Sequence, residues 1–342
     1  VVSGGELLRA RKAGIPAARI VFSGVGKTRA EMRLALEEGI HQFNIESSAE
    51  LTVLADVAKS LGKTAKVAVR VNPDVAAGGH PNISTGKAGD KFGVPWAEAR
   101  KAYAQIAETD GVDAVGVDVH IGSQIDDIAP MRAAFMKVMT LVRELREDGH
   151  DIRRVDLGGG LGIPYKSTDN PPPPSAYAEM IREVTEGMGL EVILEPGRVI
   201  AGNAGVLITE ALFVKQGPQR NFLMVDAGMN DLMRPALYQA YHEILPVRQR
   251  ASSDETVRYD VVGPICESTD KFAAERDMPR IEGGDRLAVM SAGAYGAVLS
   301  SQYNARPLVP EVLVDGDRYA VIRRRPDFDE MIALESMPDW LS

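Results

Sequence analysis

The chain has 342 residues, 45% hydrophobic and 25% charged, a balance that builds packed cores and does not describe a disordered chain. A net charge of -9, with lysines and arginines scattered rather than striped, argues against a nucleic-acid partner. The one cysteine, Cys266, allows no disulfide framework within the chain and fits a reducing cytoplasm; no run of about 18 apolar residues suits a membrane span, and no segment reads as a signal peptide.

The length suffices for two ordinary domains. The chain opens VVSGGELLRA, so Val1 and Val2 read as the end of a strand in progress, and a segment belonging before residue 1 is expected. Up to about residue 200 a short apolar strand, a polar or glycine-rich turn and an amphipathic helix recur. The strands are VVS (1–3), RIVFSG (19–24), HQFNIES (41–47), KVAVRVN (66–72), AVGVDVHIG (114–122), RRVDLGGG (153–160) and EVILEPG (191–197). Helices such as RAEMRLALEEG, AELTVLADVAKSLG and MRAAFMKVMTLVRELREDG separate them, each apolar at helical spacing with a glycine near its end. Such alternation predicts a parallel sheet. Seven units nearly make a closed (β/α)8 barrel, whose first strand would precede Val1; a doubly wound open sheet is the alternative.

After about residue 205 strand-like runs follow one another without long helices: VLITEALFVKQ, NFLMVDAGM, VRYDVVGPI, DRLAVMSAG and YAVIRRRP. They predict a mostly antiparallel β domain over 205–342, behind an α/β domain over 1–204. The prolines 171–174 fall in a loop of the first domain.

Two phosphate motifs fail in detail. Gly24-Val25-Gly26-Lys27-Thr28 ends like a P-loop, but Val21 stands where its first glycine belongs. The run Gly158–Gly162 lacks the third glycine of a dinucleotide fingerprint, because Ile163 occupies that position. Its glycines suit a small phosphate held by backbone N–H groups, or simply a tight strand-to-loop turn.

In a barrel of this kind functional groups gather at the C-terminal strand ends. Those ends read Ser23, Glu46-Ser47, Arg70–Asn72, His120–Ser123, Gly158–Gly160 and Glu195–Arg198. Any one of these is easily structural; the set together points to a ligand. His120 offers a flat ring for stacking, and Ser123 with the glycines suits a phosphate. Glu195 suits a protonated ring nitrogen, and Arg198 a bidentate carboxylate. Aromatic ring, phosphate and basic ring nitrogen together describe pyridoxal 5'-phosphate, whose charged pyridine is an electron sink. Arg234 and Tyr238 lie four apart, so one helical turn can present both to an anion. The five histidines (His41, His80, His120, His150, His242) show no metal-ligand spacing.

With these residues in place, the sequence resembles the diaminopimelate decarboxylase family, in the pyridoxal-phosphate fold III group with alanine racemase and ornithine decarboxylase. The resemblance runs over essentially all 342 residues and rests on VVSGGEL, FSGVGKT, FNIES, RVNPD, HPNISTGKAGDKFG, HIGSQ, DLGGGLGIPY, EPGR, DAGMNDLMRPALY, GPICESTD and SAGAYG, in that order. It implies decarboxylation of meso-2,6-diaminopimelate to L-lysine and CO2. It further implies that His120 stacks on the cofactor, that Ser123 and Gly158–Gly160, helped by Tyr295, hold its phosphate, and that Glu195 meets its pyridine nitrogen. Arg198, Arg234 and Tyr238 would clamp the substrate's distal carboxylate. Cys266 and Glu267 would be donated across a homodimer interface, Cys266 as a candidate proton donor to Cα. The loop from His80 to Gly93 resembles a mobile flap.

In one respect the sequence departs from the family. Its members hold the cofactor covalently on a lysine in a YAxKAN-type motif of the first barrel strand, and no lysine here matches it; Lys27 is not that position. Two other readings follow: a decarboxylase of another basic amino acid, or a catalytically inactive pyridoxal-phosphate-binding fragment.

Overall fold

The computed structural model describes residues 1–75, 91–248 and 255–341. The chain forms two compact units, one of Val1–Gly162 with Asn170–Gly197, the other of Ile163–Asp169 with Arg198–Ser342. The units part at Gly197, seven residues before the sequence-based division at 204, and the short segment 163–169 goes with the second unit.

The first unit runs α1 (Gly4–Lys12), β1 (Val21–Phe22), α2 (Arg29–Glu38), β2 (Gln42–Ile45), α3 (Ser48–Ser60), β3 (Ala65–Asn72), β4 (Val94–Pro95), α4 (Ala99–Ala107), β5 (Val112–Asp118), α5 (Ala129–Glu147), β6 (Arg154–Asp156), α6 (Pro174–Thr185) and β7 (Glu191–Ile193). Helices α1, α2 and α3 start where side chains cap them. Thr28 and Glu31 form a reciprocal capping box on α2, and Ser3 and Ser47 accept from the third backbone N–H of α1 and α3. Helix α2 stops at Gly39, whose φ of 74° is the left-handed conformation that glycine tolerates.

The strands pair in parallel in the order β1-β2-β3-β5-β6-β7, with β4 beside β3. Phe22 pairs with Phe43 and Phe43 with Val67, so the apolar runs lie in register. All of β3 except Lys66 is buried, as in a sheet covered on both faces. On α5, Met131, Phe135, Val138, Val142 and Leu145 form the buried stripe. Each such side chain contributes roughly 2 kcal/mol on leaving water.

The expected strand over residues 1–3 is reduced to a pair of backbone bonds beside β1: the Val1 amino group donates to Val21 O at 2.8 Å and Ser23 N donates to Val1 O at 2.9 Å. No ladder joins β1 to β7 among the described residues. A side-chain bond does so: Ser23 Oγ donates to Glu195 Oε1 at 2.9 Å. The C-terminal ends of the first and last strands therefore meet, as in a barrel.

The second unit contains α7 (Arg198–Ala201), β8 (Leu207–Gln216), β9 (Asn221–Val225), α8 (Arg234–Tyr238), β10 (Ile244–Pro246), β11 (Thr256–Val262), β12 (Lys271–Pro279), β13 (Arg286–Val289), β14 (Glu311–Asp315), β15 (Arg318–Arg323) and α9 (Phe328–Ile332). Its main sheet is ordered β10-β13-β8-β9-β11-β12, antiparallel except where β9 and β11 run parallel. Ala211, Leu223, Val225, Val261, Leu287 and Val289 are its buried centre. Strands β14 and β15 make a separate hairpin. The sequence reading misses β10, β12 and β14. In β12 the cause is visible: KFAAERDMP has no alternating apolar face, and the strand sits at the sheet edge, where one-sided pairing suffices.

Candidate active site

Two groups of buried functional side chains stand out, one in each unit. In the first unit they hang from the C-terminal strand ends. After β6 the chain must squeeze between the segments that follow β5 and β7. A Cβ on Gly158 would lie 2.6 Å from Val119 O, and one on Gly159 would land on the Glu195 carbonyl oxygen. Gly158 also needs its φ of 63°. The first demand on this glycine run is close packing of three strand ends.

Two of the glycine N–H groups have acceptors within the unit: Gly158 N donates to Asp156 Oδ1 at 3.0 Å and Gly159 N to His120 Nδ1 at 3.2 Å. Of the three glycines expected to bind phosphate, Gly160 alone has an N–H without an acceptor among the described residues, while its carbonyl accepts from Ile125 N. The bond from Gly159 also fixes His120. A nitrogen that accepts from an amide carries no proton, so the ring is neutral with its hydrogen on Nε2. Burial, helped by Arg70, pushes the His120 pKa down to about 4. Ser123 lies on the same loop, half-buried.

Below these groups lies an acidic interior. Asp156 is fully buried; Asn44 Nδ2 donates to its Oδ2 and also to Ser23 Oγ, both at 3.0 Å. Burial first, and then the Glu195 charge, push its pKa up to about 7. Burial also pushes Asp118 well above the usual carboxylate range, with Asp156 and Glu195 adding. Beside them Arg70 Nη1 donates to Glu46 Oε1 at 2.9 Å, Glu46 Oε2 accepts from Gly93 N at 2.7 Å, and the guanidinium lies over the Phe92 ring. Gly93 closes the expected flap; residues 80–90 of that segment, His80 among them, lie outside the described residues. Lys27 is fully committed: its Nζ donates to Gly24 O, Asn44 O and Glu50 Oε1 at 2.8, 2.6 and 2.6 Å.

The second unit gathers the arginines. Arg198 opens α7 and Arg234 opens α8, and both are buried. Arg198 Nη1 donates to Tyr165 Oη at 2.6 Å, and the Arg234 guanidinium lies 4.5 Å from the centre of the same ring. Burial lowers the Arg234 pKa, and Arg198 adds to the effect, while the hydroxyls of Tyr165, Tyr238 and Tyr295 oppose it. Arg234 and Tyr238 do share one helical turn, α8, as their spacing predicts. Tyr295, which the resemblance joins to the phosphate, stacks on Arg198 at 4.8 Å and has left-handed backbone, φ 56°.

Sequence reasoning missed Tyr165 and His242. Tyr165 ends DLGGGLGIPY, a segment read only for its glycines. His242 shares no metal-ligand spacing with the other histidines and precedes β10, a strand with no signature in the sequence. Cys266 and Glu267 stand exposed on the loop between β11 and β12. Asn304 Oδ1 accepts from Cys266 N at 3.1 Å, and buried Asp270 ties the loop through Ile265 N and Met229 N. Thr269 and Tyr303 hydrogen bonds lower the Glu267 pKa. No cluster of three His, Cys, Asp or Glu suited to a metal occurs among the described residues, and no helix there is long and apolar enough to cross a membrane.

Comparison with known proteins agrees with this chemistry. Residues 1–202 match the family model for the pyridoxal binding domain of pyridoxal-dependent decarboxylases. The diaminopimelate decarboxylase of Zymomonas mobilis is 50% identical over 343 residues, covering 100% of this chain and 80% of the relative. That of Aquifex aeolicus is 48% identical over 97% of this chain and 79% of its own length. Among solved structures, the Helicobacter pylori diaminopimelate decarboxylase complexed with L-lysine superposes with a TM-score of 0.93 at 41% identity, covering 97% of this chain and 82% of that one. The M. jannaschii enzyme in co-complex with L-lysine gives 0.94 at 40% identity, over 100% and 80%. The chain belongs to the pyridoxal-dependent decarboxylases and, within them, to the diaminopimelate decarboxylase family.

Proposed function

We propose that the chain acts as a pyridoxal-phosphate-dependent carboxy-lyase on meso-2,6-diaminopimelate, releasing CO2 and L-lysine. The observation that carries this reading is that one chain holds both a neutral histidine beside a glycine turn and a carboxylate at strand ends, and a pair of buried arginines. The first set fits a phosphorylated pyridine; the second fits a carboxylate remote from the reacting carbon. When bound, pyridoxal phosphate supplies an electron-poor ring that accepts the electron pair left as CO2 departs.

The residues divide the work. His120, locked neutral by Gly159, would meet the cofactor ring without adding charge to it. Ser123 and the Gly160 N–H hold the phosphate. Glu195, steadied by Ser23, keeps a proton on the pyridine nitrogen. Arg198, Arg234 and Tyr238 hold the distal carboxylate and so orient the carboxylate that leaves. Cys266 returns a proton to Cα, and Glu267 binds substrate beside it. In this reading both come from the partner in a homodimer, which accounts for a thiol and a carboxylate left exposed on a tied-down loop. The lone free cysteine fits a cytoplasmic enzyme.

The test is CO2 release from meso-diaminopimelate, L-ornithine, L-arginine and L-lysine in the presence of pyridoxal phosphate. Turnover of diaminopimelate at least 100-fold above the others is expected, because the other three lack a second carboxylate for the arginines. Comparable turnover of ornithine or arginine would transfer the chain to a decarboxylase of another basic amino acid.

A further inference from the structure

His242 sits just before β10 and its side chain is fully buried. Its two ring nitrogens face opposite kinds of partner. Nδ1 lies 2.8 Å from the Met290 carbonyl oxygen, and Nε2 lies 2.8 Å from Arg234 Nη1. A carbonyl only accepts and a guanidinium only donates. One protonation state serves both: neutral imidazole with its hydrogen on Nδ1, donating to Met290 O and accepting from Arg234. An imidazolium would turn a hydrogen toward the guanidinium, lose that bond and set two cations in contact.

The surroundings fix the ring from several sides. Tyr165 meets it edge-on, with centroids 5.4 Å apart and planes at 81°. Arg276 Nη1 donates to the His242 carbonyl at 3.1 Å and holds the backbone. Burial, with Arg234, Arg198 and Arg276 adding, pushes the His242 pKa down to about 4 against the pull of the Met290 bond.

We propose that His242 is the positioning residue for Arg234: a neutral acceptor that takes one guanidinium N–H, fixes the plane of the fork and leaves the remaining donors and the whole charge for the substrate's distal carboxylate. The choice of residue matters. An aspartate or glutamate at this place would orient Arg234 equally well but would cancel the charge that the substrate needs. The inference rests on the reading of Arg234 as a ligand of the distal carboxylate.

The test compares two ligands of the protein saturated with pyridoxal phosphate, by isothermal titration: L-lysine, which keeps the distal carboxylate, and 1,5-diaminopentane, which lacks it. The wild-type chain is expected to prefer lysine by about tenfold or more, the scale of a hydrogen-bonded charge pair. In His242→Phe the preference falls to about threefold or less through weaker lysine binding, with diaminopentane within twofold of wild type. His242→Gln, whose amide oxygen can accept from Arg234, restores most of it. A His242→Phe protein that keeps the full preference, while Arg234→Met loses it, overturns the role of His242 alone. If Arg234→Met also keeps the preference, or wild type shows none, the carboxylate clamp falls and this inference with it. A second measurement needs no stable variant. Nitrogen-15 NMR of the wild-type imidazoles at pH 7 should find His242 neutral and protonated on Nδ1; a charged ring or an Nε2–H tautomer overturns the proposal.

Discussion

The two buried clusters of this chain are opposite in sign. The first unit buries Asp118 and Asp156 within reach of the Glu195 charge, with the Arg70–Glu46 ion pair beside Asp118, and burial raises the Asp118 and Asp156 pKa values. The second unit packs Arg198, Arg234 and Arg276 around a histidine that burial and these cations keep neutral. In the proposed reading each interior suits the charge it would receive: a protonated ring nitrogen in one, a carboxylate in the other. Both use a neutral imidazole whose tautomer is set by one backbone group, the Gly159 N–H for His120 and the Met290 carbonyl for His242. The comparison teaches that histidine orients here without competing for charge, and that a motif search for histidine ligands passes over both.

The largest effect should come from removing the receiving charge of the acidic cluster. Glu195→Gln keeps the shape and the Ser23 contact but gives up the anion proposed to hold the pyridine nitrogen protonated. The turnover rate of diaminopimelate should fall about 100-fold or more, read by CO2 release at saturating substrate. A loss under fivefold would mean that the ring nitrogen is met elsewhere. A second effect should break the packing of the first unit and spare the second. Gly159→Ala drives a methyl onto the Glu195 carbonyl, and relief requires moving β7's end away from β6. A loss of about 2–3 kcal/mol is expected, seen as a midpoint several degrees lower in thermal unfolding followed at first-unit amides.

A smaller and more diagnostic effect concerns pH. Asp156 titrates near 7 when folded, against about 4 in an unfolded chain. Below about pH 4 it is protonated in both states and costs nothing. As the pH rises toward 7 the unfolded chain ionises and the folded one resists, so stability is lost across that window and stays lost above it. Asp156→Asn removes this term. The variant should gain roughly 5–10 °C on wild type at pH 8 and little at pH 4, with melting curves at both as the check. An equal shift at both pH values would mean that the carboxyl is not held protonated by its surroundings.

The legible parts of the molecule are those governed by local rules. The parallel strands β1–β3 and β5–β7 announce themselves by apolar runs, and α2 by Thr28, Glu31 and Gly39. Ser23, His120 and Glu195 stand out in the sequence because strand ends are where such folds place chemistry. The opening of β6 into glycines is legible as close approach, but not what approaches: the Val119 and Glu195 backbone crowds the turn, and the Asp156 and His120 side chains take up two of the three N–H groups. Tyr165 is not legible because it meets Arg234 from a segment far away in sequence, and His242 is not because it follows Arg234 by eight residues across the left-handed turn at Gln239, where no helical period joins them. The edge strand β12 escaped for a different reason, since its mixed side chains satisfy no simple period.

The exposed thiol of Cys266 has a practical corollary in the language of labelling. It is the sole thiol in the sequence, so a chromogenic disulfide should titrate one equivalent per chain without denaturant. A maleimide dye attached there would sit at one known address, on the loop anchored by Asp270 and Asn304, with no engineered cysteine. Changes in its emission on mixing with lysine, or on raising the protein concentration, would report on that loop from a single site.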